Sequence, residues 1–156
     1  MSRGFPIVKS PATVDAGPLA DWAAFTPRLS IVGAGTVPTY ATNSGRFRIS
    51  VSNTAYVDIL LDGNGGTAGA GAGQLALLLP VVPSPSTMGG YIVIGYCINN
   101  VKSTVLYGVP TPTPLLALFI LDKTDTIAPL TGADQNNASR QIRLHLWYET
   151  YQLPPV

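Results

Sequence analysis

The fold is decided by the stretch Ile142-Arg-Leu-His-Leu-Trp-Tyr-Glu149, in which two kinds of residue alternate. One set of alternate positions holds Ile, Leu, Leu and Tyr, and the other holds Arg, His, Trp and Glu. A period of two is typical of a β-strand with one buried face. Residues 46–51 repeat the pattern, because Phe47, Ile49 and Val51 alternate with polar residues. Both stretches are therefore predicted strands whose apolar sets face a core.

Similar runs follow one another from Thr26 onward, separated by turn-forming residues. The 16 glycines and 14 prolines interrupt the apolar runs before they reach the length of an ordinary helix. Strands are predicted near residues 27–32, 45–52, 54–62, 74–80, 90–98, 103–108, 115–122 and 140–149, with a helix as the alternative at 115–121. Short strands at close intervals predict an all-β protein, a jelly-roll-like antiparallel sandwich.

The first 21 residues have a different character. Pro6, Pro11 and Pro18 recur among small residues, and each proline favours extended backbone before it. We predict an extended N-terminal arm over residues 1–21 and a jelly-roll-like β domain over residues 22–156. A short helical turn that begins at Pro18 and carries Trp22 is also expected. A disordered leader is the alternative to an arm that lies along a partner.

Three of the predicted strands are apolar on both faces, namely those within residues 75–79, 91–98 and 115–121. A small domain cannot cover both faces of three strands by itself, so symmetric copies of the chain are expected to cover the rest. Only 11% of the residues are charged, against about 25% in an average protein. We therefore predict a homotrimer.

The balance of charge excludes several partners. Nine basic and eight acidic residues give a net charge of +1 without a basic cluster, so nucleic acid is not an expected partner. No stretch has the twenty unbroken apolar residues of a membrane helix, so no membrane is expected either. Cys97 is the single cysteine and is predicted to pack as a small apolar residue.

The sequence offers little chemistry. His145 is the only histidine, so any Ser-His-Asp or Cys-His arrangement must use it, and a strand position between Arg143 and Trp147 favours an exposed or interfacial role. The glycine run at residues 63–73 lacks the Lys-Ser/Thr of a phosphate-binding loop, so we expect a flexible or tightly turned surface loop. One His and one Cys do not suffice for a zinc site of the usual kind. We predict a protein that is not an enzyme and that has no catalytic residues, no cofactor and no metal.

A weaker signal concerns binding. Tyr56 and Asp58 project from the same face of the strand at 54–62, where they could stack on and hydrogen-bond a sugar. A solvated or subunit-facing strand edge is the alternative. Tyrosine and tryptophan are enriched at interfaces, and the aromatics expected to be exposed are Tyr40, Tyr91, Tyr107, Trp147 and Tyr151.

A series of short motifs resembles a group of phage virion proteins. The motifs are Trp22-Ala-Ala-Phe-Thr-Pro27, Gly45-Arg-Phe-Arg48 and, after a glycine-rich turn, Leu79-Pro80. In that group, a Trp-x-x-Tyr/Phe-Thr-Pro opening and a Gly-x-Tyr/Phe strand introduce a small trimeric β domain of tail fibres, head fibres and capsid decoration proteins. The resemblance covers residues 22–80 and implies a structural role in a virion.

Tail fibres of this group usually join such a domain to a long shaft, whereas here an arm of about twenty residues without coiled-coil heptads precedes it. This difference favours a capsid cement or decoration protein within the group. Such a protein would bind the outer surface of the head as a trimer, with the major capsid protein as partner and the virion as its location. The residues expected to contact the capsid are Phe5, Ile7, Val8, Val14 and Trp22. The alternative is a tail-fibre or head-fibre receptor-binding domain that holds host cell-surface glycan through Tyr56 and Asp58.

Overall fold

The computed structural model describes residues 21–85, 92–98, 103–121 and 124–150. These residues form ten β-strands and a 3₁₀ turn at Ala133–Gln135. The strands are β1 (Ala23–Phe25), β2 (Arg28–Val32), β3 (Thr42–Ile49), β4 (Thr54–Asp62), β5 (Gln74–Leu78), β6 (Ile92–Ile98), β7 (Ser103–Pro110), β8 (Leu115–Leu121), β9 (Ile127–Pro129) and β10 (Gln141–Glu149).

Antiparallel pairing joins the strands into one sheet in the order β1-β3-β4-β10-β6-β7-β8-β5-β2, and β9 pairs with β8. Strand β10 contains the alternating stretch that decides the fold, and it lies between β4 and β6. It pairs with β4 over all nine of its residues, from Gln141 opposite Asp62 to Glu149 opposite Thr54. The C-terminal part of the described chain therefore completes the middle of the sheet.

The sheet curls so that one face encloses a single core. Residues from β3 to β8 and from β10 contribute to it, and Leu75, Leu118 and Leu144 are completely buried. Burial of each such side chain contributes roughly 1.5 to 3 kcal/mol relative to exposure, which is why alternation on β10 is sufficient to orient the strand. The all-β antiparallel prediction is confirmed. The structure shows one continuous curled sheet, and the jelly-roll connectivity itself stays a prediction.

All eight predicted strands are present, including a strand and not a helix at 115–121, and their ends differ from the predicted ones by at most three residues. The largest difference is at β3, which ends at Ile49, before a tight turn. The turn is closed by a hydrogen bond of 2.9 Å from Ser50 N to Thr54 O, and Asn53 adopts a positive φ of 59°. Ser50 is buried there and Val51 is exposed, so the predicted alternation is wrong beyond Ile49.

Two short strands, β1 and β9, were not predicted, because three residues are too few to show a period of two. Each forms by adding to a longer neighbour, β1 to β3 and β9 to β8. Trp22 lies directly before β1 in non-helical backbone, which contradicts the expected helical turn at that residue. The rest of the predicted arm, residues 1–20, lies outside the described residues.

The glycine run is tightly turned and tied to two other segments. Gly73 N donates to Ala34 O at 2.9 Å, and Gly69 N donates to Gln135 O at 3.1 Å. A Cβ at Gly69 would lie 2.2 Å from Gly132 O, so the close approach of these main chains requires glycine. The three segments 34–40, 63–73 and 131–140 form what we call the loop junction.

Arg140 lies at the centre of the loop junction and is 1% exposed. Its guanidinium donates to Thr39 O at 2.7 and 3.1 Å, to Asn137 O at 2.7 Å and to Thr67 O at 2.7 Å. Asn64 Oδ1 accepts a further bond at 3.0 Å. Among the described residues, no carboxylate forms an ion pair with Arg140. Main-chain oxygens therefore compensate most of the cost of burying this cation.

Tyr40 belongs to the same junction and is half-buried, contrary to the prediction that it is exposed. Its ring packs against the core, and its hydroxyl donates to Gln135 Oε1 at 2.9 Å. Gln135 is completely buried and donates in turn to Ile98 O at 2.8 Å. A polar chain thus connects the loop junction to β6.

Candidate functional site

The outward face of β3, β4 and β10 concentrates polar and aromatic side chains in three rows set by the strand register. The rows are Arg48, Tyr56 and Trp147, then Arg46, Asp58 and His145, then Ser44, Leu60 and Arg143. We call this surface, together with Trp22, the cationic-aromatic face. It arises because the inward positions of these strands are taken by the core, so the alternate positions all face outward.

The middle row is a hydrogen-bonded cluster. Arg46 donates through Nε and Nη2 to Asp58 Oδ2, each at 2.8 Å. His145 Nδ1 contacts Asp58 Oδ1. Partial burial acts to raise the pKa of Asp58, but the hydrogen bonds and charges of His145 and Arg46 outweigh it and hold the pKa below its ordinary value. Asp58 is therefore ionised at neutral pH and accepts from both neighbours.

The contact with Asp58 also fixes the histidine tautomer. An ionised carboxylate only accepts hydrogen bonds, so His145 Nδ1 carries the proton. Nε2 of the neutral ring is then an acceptor, and it becomes a donor when the ring is protonated. The side chain of His145 is 64% exposed, so a ligand can reach the ring.

The aromatic row is built around Arg48. Its guanidinium lies 4.9 Å from the Trp22 ring centroid and 5.0 Å from that of Tyr56. The guanidinium of Arg46 lies 4.5 Å from the same Trp22 ring. Each cation-π contact is worth about 0.5 to 1 kcal/mol at an exposed position. Trp147, directly opposite Tyr56, is 71% exposed.

A cleft of about 170 Å³ lies beside the middle row and is lined by Ser44, Arg46, Asp58, Leu60, Arg143 and His145, among others. It is smaller than the roughly 300 to 1,000 Å³ of pockets that enclose whole ligands. The floor between Ser44 and Arg143 is the apolar side chain of Leu60. The cleft can accept a small polar group, which would have Arg46 on its β3 side and Arg143 on its β10 side.

Asp58 and His145 reproduce the orienting half of a Ser-His-Asp triad, which also needs a hydroxyl or thiol within reach of Nε2. Ser44 lines the same cleft but lies on β3, two strands from β10, and neighbouring strands are about 4.8 Å apart. Cys97 is completely buried in the core. Within the described ranges, no hydrogen bond joins His145 to a serine or cysteine. The cluster orients an imidazole without presenting a nucleophile to it.

A second surface lies on the outward face of β7, β8 and β9, and the described residues of these strands place no charged side chain on it. Its outward positions are Val105, Tyr107, Val109, Leu115, Ala117, Phe119, Leu121, Ile127 and Pro129, according to the strand register. We call it the apolar face. Val105 is 39% exposed and Ile127 is 40% exposed, so this surface is only partly covered within the chain.

The predicted site residues fall into two groups. Phe5, Ile7, Val8 and Val14 lie outside the described residues. The other three share the cationic-aromatic face, as Trp22 stacks on Arg46 and Arg48 while Tyr56 and Asp58 project outward from β4. Tyr107 lies partly buried on the apolar face, and Tyr91 and Tyr151 are not among the described residues.

Sequence reasoning missed the contact between His145 and Asp58. The alternation correctly placed both residues on outward faces, but it carried no information about which strands pair. A signal was present only in the combination of two regular nine-residue strands, each with an ionisable residue at its centre. Antiparallel pairing of such strands without an offset brings the two centres together.

Comparison with known proteins adds no identification, since no protein-family model, no curated protein and no solved structure matches the chain. Over the described ranges, no three or more histidine, cysteine or acidic residues are grouped as metal ligands would be. The same part of the chain has no helix of the length and apolarity needed to cross a membrane.

Proposed function

We propose that the chain is a non-catalytic structural protein of a phage virion, which assembles as a homotrimer and decorates the outer surface of the capsid. The observation that carries the proposal is the apolar face. A strand that buries one side on its own core and exposes apolar residues on the other is suited to contact with a further protein.

A second copy of the chain is the simplest occupant of the apolar face. Between Val105 and Leu121 at one end and Val109 and Leu115 at the other, the outward positions of β7 and β8 offer only apolar and aromatic side chains. These positions offer no charged group that would select a partner of opposite charge, so an apolar surface of another copy suffices. In a closed ring of three copies, the apolar face of each copy packs against a different part of the next copy, so that the three interfaces are equivalent.

The capsid role rests on the virion-like motifs of residues 22–80 and on the apolar residues of the predicted arm. Three arms held by one trimer would engage the coat together, so that release requires several contacts to break at once. The sparsely charged composition agrees with a protein whose surface is mostly covered in an assembly. On this proposal the protein acts by adding contacts between coat subunits.

Self-association is tested by sedimentation velocity at micromolar concentration. The wild-type protein should have the mass of three chains, and Val105→Glu should dissociate it because a carboxylate would be buried without a partner. The matched control is Val32→Glu, which places the same charge on a valine that is 62% exposed on the edge strand β2. A wild-type mass of one chain, or trimers that are equally stable in both variants, would contradict the proposed interface.

Attachment to capsids is tested separately by co-sedimentation with expanded phage heads. Deletion of residues 1–15 should leave the oligomer intact and abolish capsid binding. Binding that is undiminished by the deletion would show that the arm is not the point of attachment. A stoichiometry of a few copies per particle would contradict decoration and favour a tail component.

A further inference from the structure

We propose that the cationic-aromatic face is a binding site for a saccharide that carries a carboxylate group. The acid group would enter the cleft between Arg46 on β3 and Arg143 and His145 on β10, and a sugar ring of the same ligand would lie on Trp147. This site is on β3, β4 and β10, so it does not involve the apolar face on which the proposed self-association rests.

The charge of the face favours an anionic ligand. Its three rows hold three arginines and one acidic residue, Asp58, while Asp62 and Glu149 occupy outward positions in the rows beyond the two ends. Asp58 is already paired with Arg46 at 2.8 Å. Within the described residues, neither Arg48 nor Arg143 forms an ion pair with a carboxylate. The arginine fork matches a carboxylate through two parallel hydrogen bonds, so Arg143 can hold the acid group in a fixed orientation.

The aromatic surface favours a sugar ring as the body of the ligand. Trp147 is two positions from His145 on the same face of β10, a separation of about 6.8 Å in an antiparallel strand. Tyr56 lies opposite Trp147 across the β4–β10 pair. One face of a pyranose ring consists largely of C–H groups, which pack on a flat aromatic side chain, while its hydroxyls remain available at the ring edge. Arg143 lies two positions beyond His145, about 14 Å along the strand from Trp147, so a ligand of two or three linked sugars would place one ring on Trp147 and its acid group in the cleft.

The fixed histidine tautomer supplies a contact for the sugar hydroxyls. Since Nδ1 of His145 donates to Asp58, Nε2 of the neutral ring accepts a hydrogen bond from a ligand hydroxyl. Asp58 itself has both oxygens engaged by Arg46 and His145. We therefore assign Asp58 as a positioning residue that holds the arginine and the imidazole, and Arg143, His145 and Trp147 as the groups in contact with the ligand.

The experiment is isothermal titration calorimetry of the full chain with two matched pairs of sugars. One pair is sialyllactose and lactose, and the other is trigalacturonic acid and α-1,4-linked galactotriose. We expect at least one acidic sugar to bind at least about tenfold more tightly than its neutral counterpart, and its affinity should fall as salt is added because exposed charges are screened. Arg143→Gln and Trp147→Ala should each weaken that binding by about tenfold or more.

Arg28→Gln is the matched control, since it removes an exposed arginine from the edge strand β2 at the far end of the sheet order and should leave the affinity unchanged. Asp58→Asn adds a readout of positioning, because it should weaken binding and alter its pH dependence while Trp147 stays in place. Sedimentation of the same samples shows whether the oligomer persists, so loss of sugar binding is distinguished from loss of the proposed assembly.

Three results would overturn the inference. They are equal affinity for acidic and neutral sugars, no binding of either acidic sugar at millimolar concentration, and tighter binding of an oligoglutamate peptide than of both acidic sugars. The last result would assign the face to an acidic protein partner.

Discussion

Replacement of Arg140 by methionine should destabilise the protein strongly, although the residue belongs to neither of the two exposed faces. Methionine has a similar reach and no charge, so the change removes the guanidinium while it retains most of the apolar stem. The side chain is 1% exposed and donates to oxygens from three separate parts of the loop junction. The replacement therefore tests whether those segments depend on one buried cation.

The expected loss of stability depends on which hydrogen bonds the acceptor oxygens retain after the replacement. Thr39 O also accepts from Gly65 N at 3.2 Å, and Thr67 O also accepts from Thr39 N at 3.0 Å, so neither oxygen is left without a partner. Thr39 O then loses two charge-assisted bonds, and Asn137 O and Thr67 O lose one each. We count about 1.5 kcal/mol for each of the three carbonyls, the low end of the range for hydrogen bonds to charged groups. The sum is about 4.5 kcal/mol, which corresponds to a fall in Tm of about 9 to 18 °C for a domain of this size.

The measurement is chemical denaturation of wild type, Arg140→Met and Arg140→Lys, monitored by tryptophan fluorescence. Lysine keeps the charge but not the planar fork, so it should recover only part of the loss. Arg143→Gln removes an exposed arginine three positions away and should change the free energy of unfolding by less than about 0.5 kcal/mol. If Arg140→Met is as stable as Arg143→Gln, the carbonyl contacts do not hold the loop junction together.

Three further predictions concern single positions. Gly69→Ala should cost about 2 to 3 kcal/mol of stability because its Cβ would meet a main-chain oxygen. Gly66→Ala, with a φ of +106° and open space around the Cβ, should cost only about 1 kcal/mol. Denaturation midpoints that reverse this order would refute the close-packing argument. The lowered pKa of Asp58 means that its stabilising contribution is present above about pH 4 and lost as the pH falls through the folded-state value, so wild type and Asp58→Asn should converge in stability in acid. Burial, with a smaller contribution from the charge of Asp134, raises the pKa of Cys97 to about 12, so a thiol reagent at pH 8 should label it only as the protein unfolds, and rapid labelling of the native protein would contradict this placement.

The fold was largely predictable because the alternation is strong where the strands are long. On β10, the alternate residues Ile142, Leu144, Leu146 and Tyr148 are buried and each intervening residue is exposed or half-buried, as the period of two requires. The alternation failed at Val51 because a turn interrupts the strand there, and the side chains around the turn no longer follow a pleat. The partners of each strand were not predictable, since pairing depends on contacts between residues distant in sequence.

For the candidate site too, the facing of the side chains was predictable and the pairing of the strands was not. Tyr56 and Asp58 were placed correctly on one face from their spacing alone. The pairing of Asp58 with His145 required the β4–β10 register, and 87 residues separate them in the chain. The burial of Arg140 was missed for a different reason, because an arginine beside a polar loop is ordinarily expected at the surface. Its burial depends on main-chain carbonyl groups, which every residue has, so the sequence does not show which of them will accept its hydrogen bonds.

The loop junction has a consequence for how this protein can change during evolution. Most acceptors of Arg140 are main-chain oxygens, which every amino acid supplies, so substitutions of exposed side chains such as Thr67 leave those bonds in place. The positions that cannot drift are Arg140 itself and glycines such as Gly69 and Gly132, where a methyl group has no room. A deep mutational scan should therefore show a narrow set of intolerant positions embedded in loops that otherwise accept wide variation. The surface around the junction can diversify while the main-chain path beneath it is preserved.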